Sequence, residues 1–304
     1  MESCLLVLAA QRSYIYKKSM QPHNKEDWTL EIYPKTKLLD INLKEIWRYR
    51  DLLTLFVRRD FVAVYKQTIF GPLWFFVQPI LTTIMFMVVF GGIAKMSTDG
   101  MPQAVFYLAG IVSWNYFAEA LKTTSETFIQ NANVFGKVYF PRIITPLSIV
   151  ISKLLTFGVQ FALFLLVYFY FLRFSDAPLQ PNATLFLVPI LILITAGLGL
   201  GLGLLITALT TKYRDFKFLI AFAVQLGMYA TPIIYPASSI EGKLKTVIML
   251  NPMSSIIETF RYAFLGVGNF SWSGLAYSFG VMAVLLFIGV ITFNKVEKTF
   301  MDTV

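Results

Sequence analysis

For most of this chain the apolar positions neither alternate nor recur at a helical interval; they run on unbroken. Residues 71–94 hold 24 positions without a charge. As a helix they would rise about 36 Å, more than a hydrocarbon core of about 30 Å. The same reading predicts spans at 103–121, with Glu119 near one end, at 143–172, interrupted only by Lys153, and at 183–211. Two more follow at 218–240, with Pro232 and Pro236 toward its far end, and at 274–294. Residues 241–270 are different, because their charge-free part covers only 246–257, twelve residues with Asn251-Pro252 in the middle. Apolar segments of about 10 to 14 residues are more often re-entrant or interfacial than spanning. A helical hairpin dipping into the membrane between the fifth and sixth spans is therefore expected, with its backbone shielded by protein or facing a wet cavity.

Helical periodicity is plain ahead of the first span. Asn42 and Glu45 form an N-x-x-E helix start. Beyond it Leu43, Ile46, Trp47, Leu53, Val57, Phe61 and Val64 share one side, opposite Lys44, Glu45, Arg48, Asp51, Arg58, Arg59 and Lys66. This predicts an amphipathic helix over 41–69 lying at the membrane interface; a helix packed on a soluble partner has the same pattern. Residues 1–40 read as a cytoplasmic tail. Its apolar run 5–10 is too short to span and has no basic region before it, which favours Met20 over Met1 as the translation start.

Composition removes whole classes of function. Of 304 residues 57% are hydrophobic and 14% charged, against about 25% charged in soluble domains, and mean hydropathy is +0.65. The fold class is thus an all-α integral membrane protein: six transmembrane helices in 70–294, an amino-terminal amphipathic interface helix, a re-entrant helical hairpin, and a short tail at 295–304. A single cysteine, Cys4, and a single histidine, His23, leave little for a disulfide framework, a metal cage or a catalytic constellation, so neither catalytic nor metal-ligating residues are expected. Direction follows from the basic residues. With the amino terminus inside, 21 Lys and Arg fall in inner segments and five in outer ones, and the net charge of +9 gathers at the inner face. Both termini are then cytoplasmic. No basic cluster interleaved with aromatics lies on a soluble domain, so nucleic acid is not an expected partner.

The motifs that remain are few. Gly136-Lys137 and Gly242-Lys243 lack the upstream glycine and following Ser or Thr of a phosphate loop. Gly197, Gly199, Gly201 and Gly203 have the spacing that lets membrane helices approach closely. Glu119, Lys153 and Glu258 are ionisable groups near membrane depth. The first two lie close enough to span ends to snorkel, and Glu258 can pair with Arg261 three residues on. Trp74, Tyr107, Trp114, Tyr116 and Tyr229 fit an interfacial belt first, with the wall of a path for sugars as the alternative.

Several pieces carry a resemblance when taken in order: LKEIWRYRDLLTLFVRRDF, FGPLWFFVQP, ANVFGKVYFPRIITP, YRDF at 213–216, TPIIYPAS, LNPMSSIIETFR and FNKVEKTFMDTV. From about Trp28 to the end the chain resembles membrane subunits of ATP-binding-cassette exporters of the second type, especially permeases exporting O-antigen, teichoic acid and other lipid-linked polysaccharides. The additional amino-terminal residues depart from that pattern, as does the lack of a fused ATPase or carbohydrate-binding domain within these 304 residues. The resemblance implies a homodimer in the bacterial inner membrane, joined to two copies of a separate ATPase subunit that holds the ATP and Mg; this chain needs no cofactor of its own. It implies an ATPase-coupling loop with Lys137, Tyr139, Phe140, Pro141 and Arg142, and an amphipathic helix along the interface. The substrate would be a glycan on a polyprenyl diphosphate, which Arg58, Arg59 and Lys66 could meet if they do not simply anchor on the membrane surface. A related permease expelling a drug or small lipid shares fold and partner. An ion-coupled carrier is disfavoured by the lack of mid-span carboxylates.

Overall fold

The computed structural model describes residues 43–66, 68–175 and 178–300. The tail at 1–40, the start at Met20, the Asn42 cap and residues 301–304 lie outside them. Among the described residues the regular structure is entirely helical. Helices α1 (Leu43–Arg48) and α2 (Arg50–Tyr65) come first, followed by α3 (Trp74–Phe86) with its π-helical extension Met87–Ile93. Then come α4 (Gln103–Ser125), α5 (Thr127–Phe135), α6 (Ile144–Phe174), α7 (Val188–Lys212) and α8 (Phe216–Tyr229). The series ends with α9 (Gly242–Met249), α10 (Pro252–Leu265) and α11 (Trp272–Phe300).

Five helical segments are long and apolar enough to cross a bilayer: Gly71–Ile93, Gln103–Ser125, Ile144–Phe174, Ala183–Lys212 and Trp272–Lys298. They match five expected spans. The run 218–240 does not continue as one helix: α8 has 14 residues, about 21 Å, and stops at Tyr229. Pro232 brings no N–H to extend the ladder, and the freed carbonyls of Pro232 and Ile233 are held by Arg261 instead. Residues 241–270 form two helices joined at Leu250 and Asn251. The Asn251 side chain accepts from the Met253 N–H at 3.0 Å and donates to the Thr231 hydroxyl at 2.8 Å, so it caps α10 and ties it to the turn after α8. Gly266 ends α10 in the left-handed region, at φ +78°.

The core centres on α4, which packs on α3, α6, α7, α8 and α10, while α11 packs on α7. Close approach is set by the glycines of α7. A Cβ at Gly199 would stand 2.8 Å from the Ala120 Cβ, and one at Gly203 2.5 Å from the Thr124 Cβ, both on α4. On the opposite side a Cβ at Gly201 would stand 2.8 Å from the Leu286 backbone nitrogen of α11. Two interleaved small-residue rows thus seat α7 between two neighbours.

The amphipathic segment breaks at Tyr49 into α1 and α2. Its anchor is Phe56, a residue outside the apolar stripe read from periodicity. It is the one buried residue of α2 and enters a second cluster with Phe128, Phe135, Phe140 and Phe293. Trp47 and Val64, both on that stripe, are exposed. The end of the bundle holding α1, α2 and α5 is here called the amphipathic end, and the end holding α9 the hairpin end.

Candidate functional site

At the amphipathic end α5 continues from α4 with one irregular residue, Glu126, between them, and the chain turns at Gly136 toward α6. Of the expected coupling-loop residues, Lys137 and Tyr139 are exposed, Pro141 is buried and Arg142 half-buried. Phe140 is only 4% exposed, inside the aromatic cluster at 5.6 Å from the Phe56 ring and 5.8 Å from that of Phe135. Arg142 donates to the Glu297 carbonyl at 2.7 Å and covers the Phe135 ring. The loop therefore divides into an inward half, Phe140 to Arg142, that joins α2, α5 and α11, and an outward half, Lys137 to Tyr139. Partial burial pushes the Tyr139 phenol up from its ordinary range, with the Glu45 and Glu297 carboxylates adding to it; it stays a neutral hydrogen-bonding group. No signal in the sequence separates Tyr139 from Phe140, because the cluster that encloses Phe140 draws on residues distant in sequence, among them Phe56 of α2 and Phe293 of α11.

Of the basic residues, Arg58 and Lys66 are exposed. Arg59 turns back onto the protein: it pairs with Asp60 at 2.8 Å, donates to the Asn131 side-chain oxygen at 3.2 Å, and lies over the Phe56 ring at 4.6 Å. It thereby locks α2 to α5.

The five aromatic candidates separate into two groups. Tyr107, Trp114 and Tyr116 are 0%, 4% and 3% exposed. Tyr107 packs edge-on to Phe86, Trp114 lies against Gly227 of α8, and Tyr116 packs on Phe157. These three rings of the central helix are buried in packing contacts within the chain. Trp74 and Tyr229 are exposed, at the start of α3 and the end of α8.

Ionisable groups proved more organised than the sequence indicates. Glu258 and Arg261 pair as expected, at 3.5 Å, yet both side chains are only 1% exposed. Arg261 donates to the carbonyls of Pro232 and Ile233, at 2.6 Å each, and to that of Phe106 at 3.3 Å, with its guanidinium 3.6 Å above the Phe106 ring. A Cβ at Gly110 would stand 3.0 Å from Arg261 Nη2, so the guanidinium packs tightly against the glycine there. Glu258 in turn accepts from the Asn269 N–H at 3.0 Å. This constellation pins the turn after α8 to α4 and α10, and its carboxylate lies at the edge of a cavity of about 480 Å³ that Asp99, Ser238, Lys245 and Asn269 also line. Glu119 of α4 receives Lys153 of α6 at 3.2 Å and Lys122 at 3.8 Å. Among the described residues no group of three or more His, Cys, Asp or Glu is placed to hold a metal ion.

Residues 51–265 match the model of the family described as ABC-2 type transporter. The chain is 27% identical over 254 residues to an O-antigen export system permease protein RfbA of Klebsiella pneumoniae, covering 83% of this chain and 94% of the relative. A second such protein from the same species is 26% identical over 253 residues, with the same coverage. One from Myxococcus xanthus is 24% identical over 224 residues, 73% of this chain and 83% of the relative. With its bilayer-length helices and a match over more than half of its length, this chain is a multi-pass membrane protein that belongs to the ABC-2 type transporter family.

Proposed function

We propose that this chain is the permease of an exporter that moves a lipid-linked polysaccharide of the O-antigen kind outward, as a homodimer joined to two copies of a separate ATPase subunit. The observation that carries this reading is the similarity, over 73–83% of this chain, to permeases named for O-antigen export. ATP and Mg are held by the partner, and transport of the polyprenyl-diphosphate-linked glycan is driven from there. In this reading the chain crosses the inner membrane six times with both termini cytoplasmic. Helix α8 and the turn after it make the fifth passage, and α9 with α10 make the re-entrant hairpin. The α1–α2 segment lies at the cytoplasmic interface, where Arg58 and Lys66 are available to a diphosphate headgroup.

The ATPase docks on the outward half of the coupling loop. Lys137, Val138 and Tyr139 offer an aromatic and aliphatic anchor with a charged rim, a composition suited to a compact contact. Phe140 serves the same contact from behind, holding the loop to α2 and α5. The test is a deletion strain carrying the chain or its variants. Surface polysaccharide is expected to vanish on deletion and return with the intact gene; unchanged surface polysaccharide after deletion would instead favour export of a drug or small lipid. Tyr139→Ala is expected to leave the purified permease as stable as the parent, within about 0.5 kcal/mol, while its ATPase no longer co-purifies. Phe140→Ala is expected to cost about 3–5 kcal/mol of folding stability, seen as a lower unfolding midpoint in detergent. Full export by Tyr139→Ala with the ATPase still bound removes the docking assignment.

A further inference from the structure

Helix α4 buries 17 of its 23 residues. Apart from Gln103 and Ala104 at its start, the residues it leaves uncovered are Asn115, Glu119, Lys122 and Thr123, and all four are polar. Asn115, Glu119 and Lys122, with Glu126 just beyond, recur at intervals of three and four and so fall on one line along the helix, about 16 Å long. Toward the hairpin end the same line continues through Ile111 and Leu108, which are 1% and 3% exposed. The strip is thus open and polar in the half of the bundle near the amphipathic end, and closed and apolar in the other half.

Snorkelling does not account for Lys153. Lys153 enters from α6, about two and a half turns from that helix's beginning. Its side chain is only 17% exposed and its ammonium is directed at Glu119. Glu119 itself remains 45% exposed on its side chain. Elsewhere the open surface of the spans carries no charge in its middle and is mostly apolar, as at Leu81 and Val88 of the first, Leu166 and Phe169 of α6, and Phe222 of α8, with the neutral amides Gln78 and Gln225 as exposed exceptions. Charge and amide facing hydrocarbon is unfavourable, and ionisable residues at membrane depth face the bundle interior or a water-filled cavity.

We infer that the Asn115–Glu119–Lys122 strip of α4, together with Lys153, is the wall of a water-filled passage in the half of the bundle nearest α1 and α2, and that the hydroxyl-rich chain of the exported glycan runs along it. The inference rests on the export function proposed above. An alternating donor and acceptor surface suits hydroxyls of either sense: the Asn115 amide both donates and accepts, the Glu119 carboxylate accepts, and the two ammonium groups donate.

The experiment uses the complex of the full chain with its ATPase, in inverted membrane vesicles, with Cys4→Ser removing the native thiol. Asn115→Cys and Glu119→Cys are compared with Phe222→Cys for reaction with a membrane-impermeant methanethiosulfonate, which attacks thiolates formed in water and not in hydrocarbon. Asn115→Cys leaves the Glu119–Lys153 pair in place and so remains informative if Glu119→Cys fails to fold. Both path positions are expected to react at least tenfold faster than position 222. The rate at both is expected to drop when the vesicles come from cells assembling the lipid-linked glycan and hydrolysis by the ATPase is blocked. Reaction at 115 as slow as at 222 overturns the wet passage. Fast reaction that the glycan leaves unchanged overturns the glycan as its occupant, and the export function itself still stands or falls on surface polysaccharide in the deletion strain.

Discussion

Helix α4 and the two spans at the chain's apolar extremes, Gly71–Ile93 and Trp272–Lys298, are built on opposite terms. The α4 span is the least apolar of the five, yet 83% of its apolar window is buried in the protein, against 22% for each of the other two. In water the most apolar helix would occupy the centre. In lipid the solvent is itself apolar, so hydropathy gives no reason for a leucine face to leave it. Small and polar residues collect in the middle instead: Ser113, Thr124 and Ser125 of α4 are buried, and the hydroxyls of Ser113 and Ser125 donate to the carbonyls of Ala109 and Lys122. The hydroxyl of Thr207 donates to the Thr124 carbonyl at 2.7 Å, and that of Thr210 to the Ser125 carbonyl, which sews α7 to α4.

The sharpest way to break this arrangement is to fill the glycines that seat α7. Gly201→Leu meets backbone atoms of α11 and Gly203→Leu meets Thr124 of α4, so neither clash is relieved by a rotamer change of a flexible side chain alone. Each is expected near the top of the roughly 1–3 kcal/mol range for overpacking. Together they should leave no monodisperse protein on size exclusion, whereas the same change at exposed positions of α11 should be tolerated. Normal yield of the double variant would show that α7 is free to shift.

Next in size is the buried ion pair. Arg261→Met strands the Glu258 carboxylate in the interior and frees the Pro232 and Ile233 carbonyls, an expected loss of about 3–5 kcal/mol. Glu258→Gln added to it should recover part of that loss, because the unpaired charge is gone while the carbonyls remain unsatisfied. An unfolding midpoint in detergent lower for the double variant than for the single one would contradict the pairing.

The smallest effect distinguishes rings that pack from rings that use their hydroxyls. The Tyr107 and Tyr116 hydroxyls are buried with no hydrogen-bond partner. Tyr107→Phe and Tyr116→Phe should therefore change stability by less than about 0.5 kcal/mol or raise it, and leave export intact. A large loss of export by either conservative variant would mean that the hydroxyl meets the substrate and that the central helix opens during transport.

Much of this molecule was legible in its sequence. Charge-free runs marked five long helices with their ends within four residues, the short apolar run at 246–257 marked the α9–α10 pair, and the interleaved glycines marked a close helix contact. The ends of α8 and the division of the coupling loop were not legible. A run such as 218–240 has the same hydropathy whether it continues or turns, and the turn is fixed by Arg261, whose partners lie 28 and 29 residues away in sequence, with a third 155 away. Periodicity likewise chose a stripe on the amphipathic segment that omits Phe56, because it weighs apolar residues equally and cannot see the aromatic cluster awaiting one of them.

What the sequence determined by itself is the solvent and the material: a chain too apolar for water, long helices in a known order, and a row of glycines where α7 meets α4 and α11. What only the tertiary structure decided is which side of each helix the protein claims. Transfer from water to lipid and from water to a protein interior stabilise an apolar residue to a similar extent, so hydropathy cannot tell the wall of the bundle from its centre. That choice falls to contacts between distant segments. They bury Tyr107, Trp114 and Tyr116, enclose Phe140 beside an exposed Tyr139, and leave Asn115, Glu119, Lys122 and Thr123 half-exposed on a mostly covered helix.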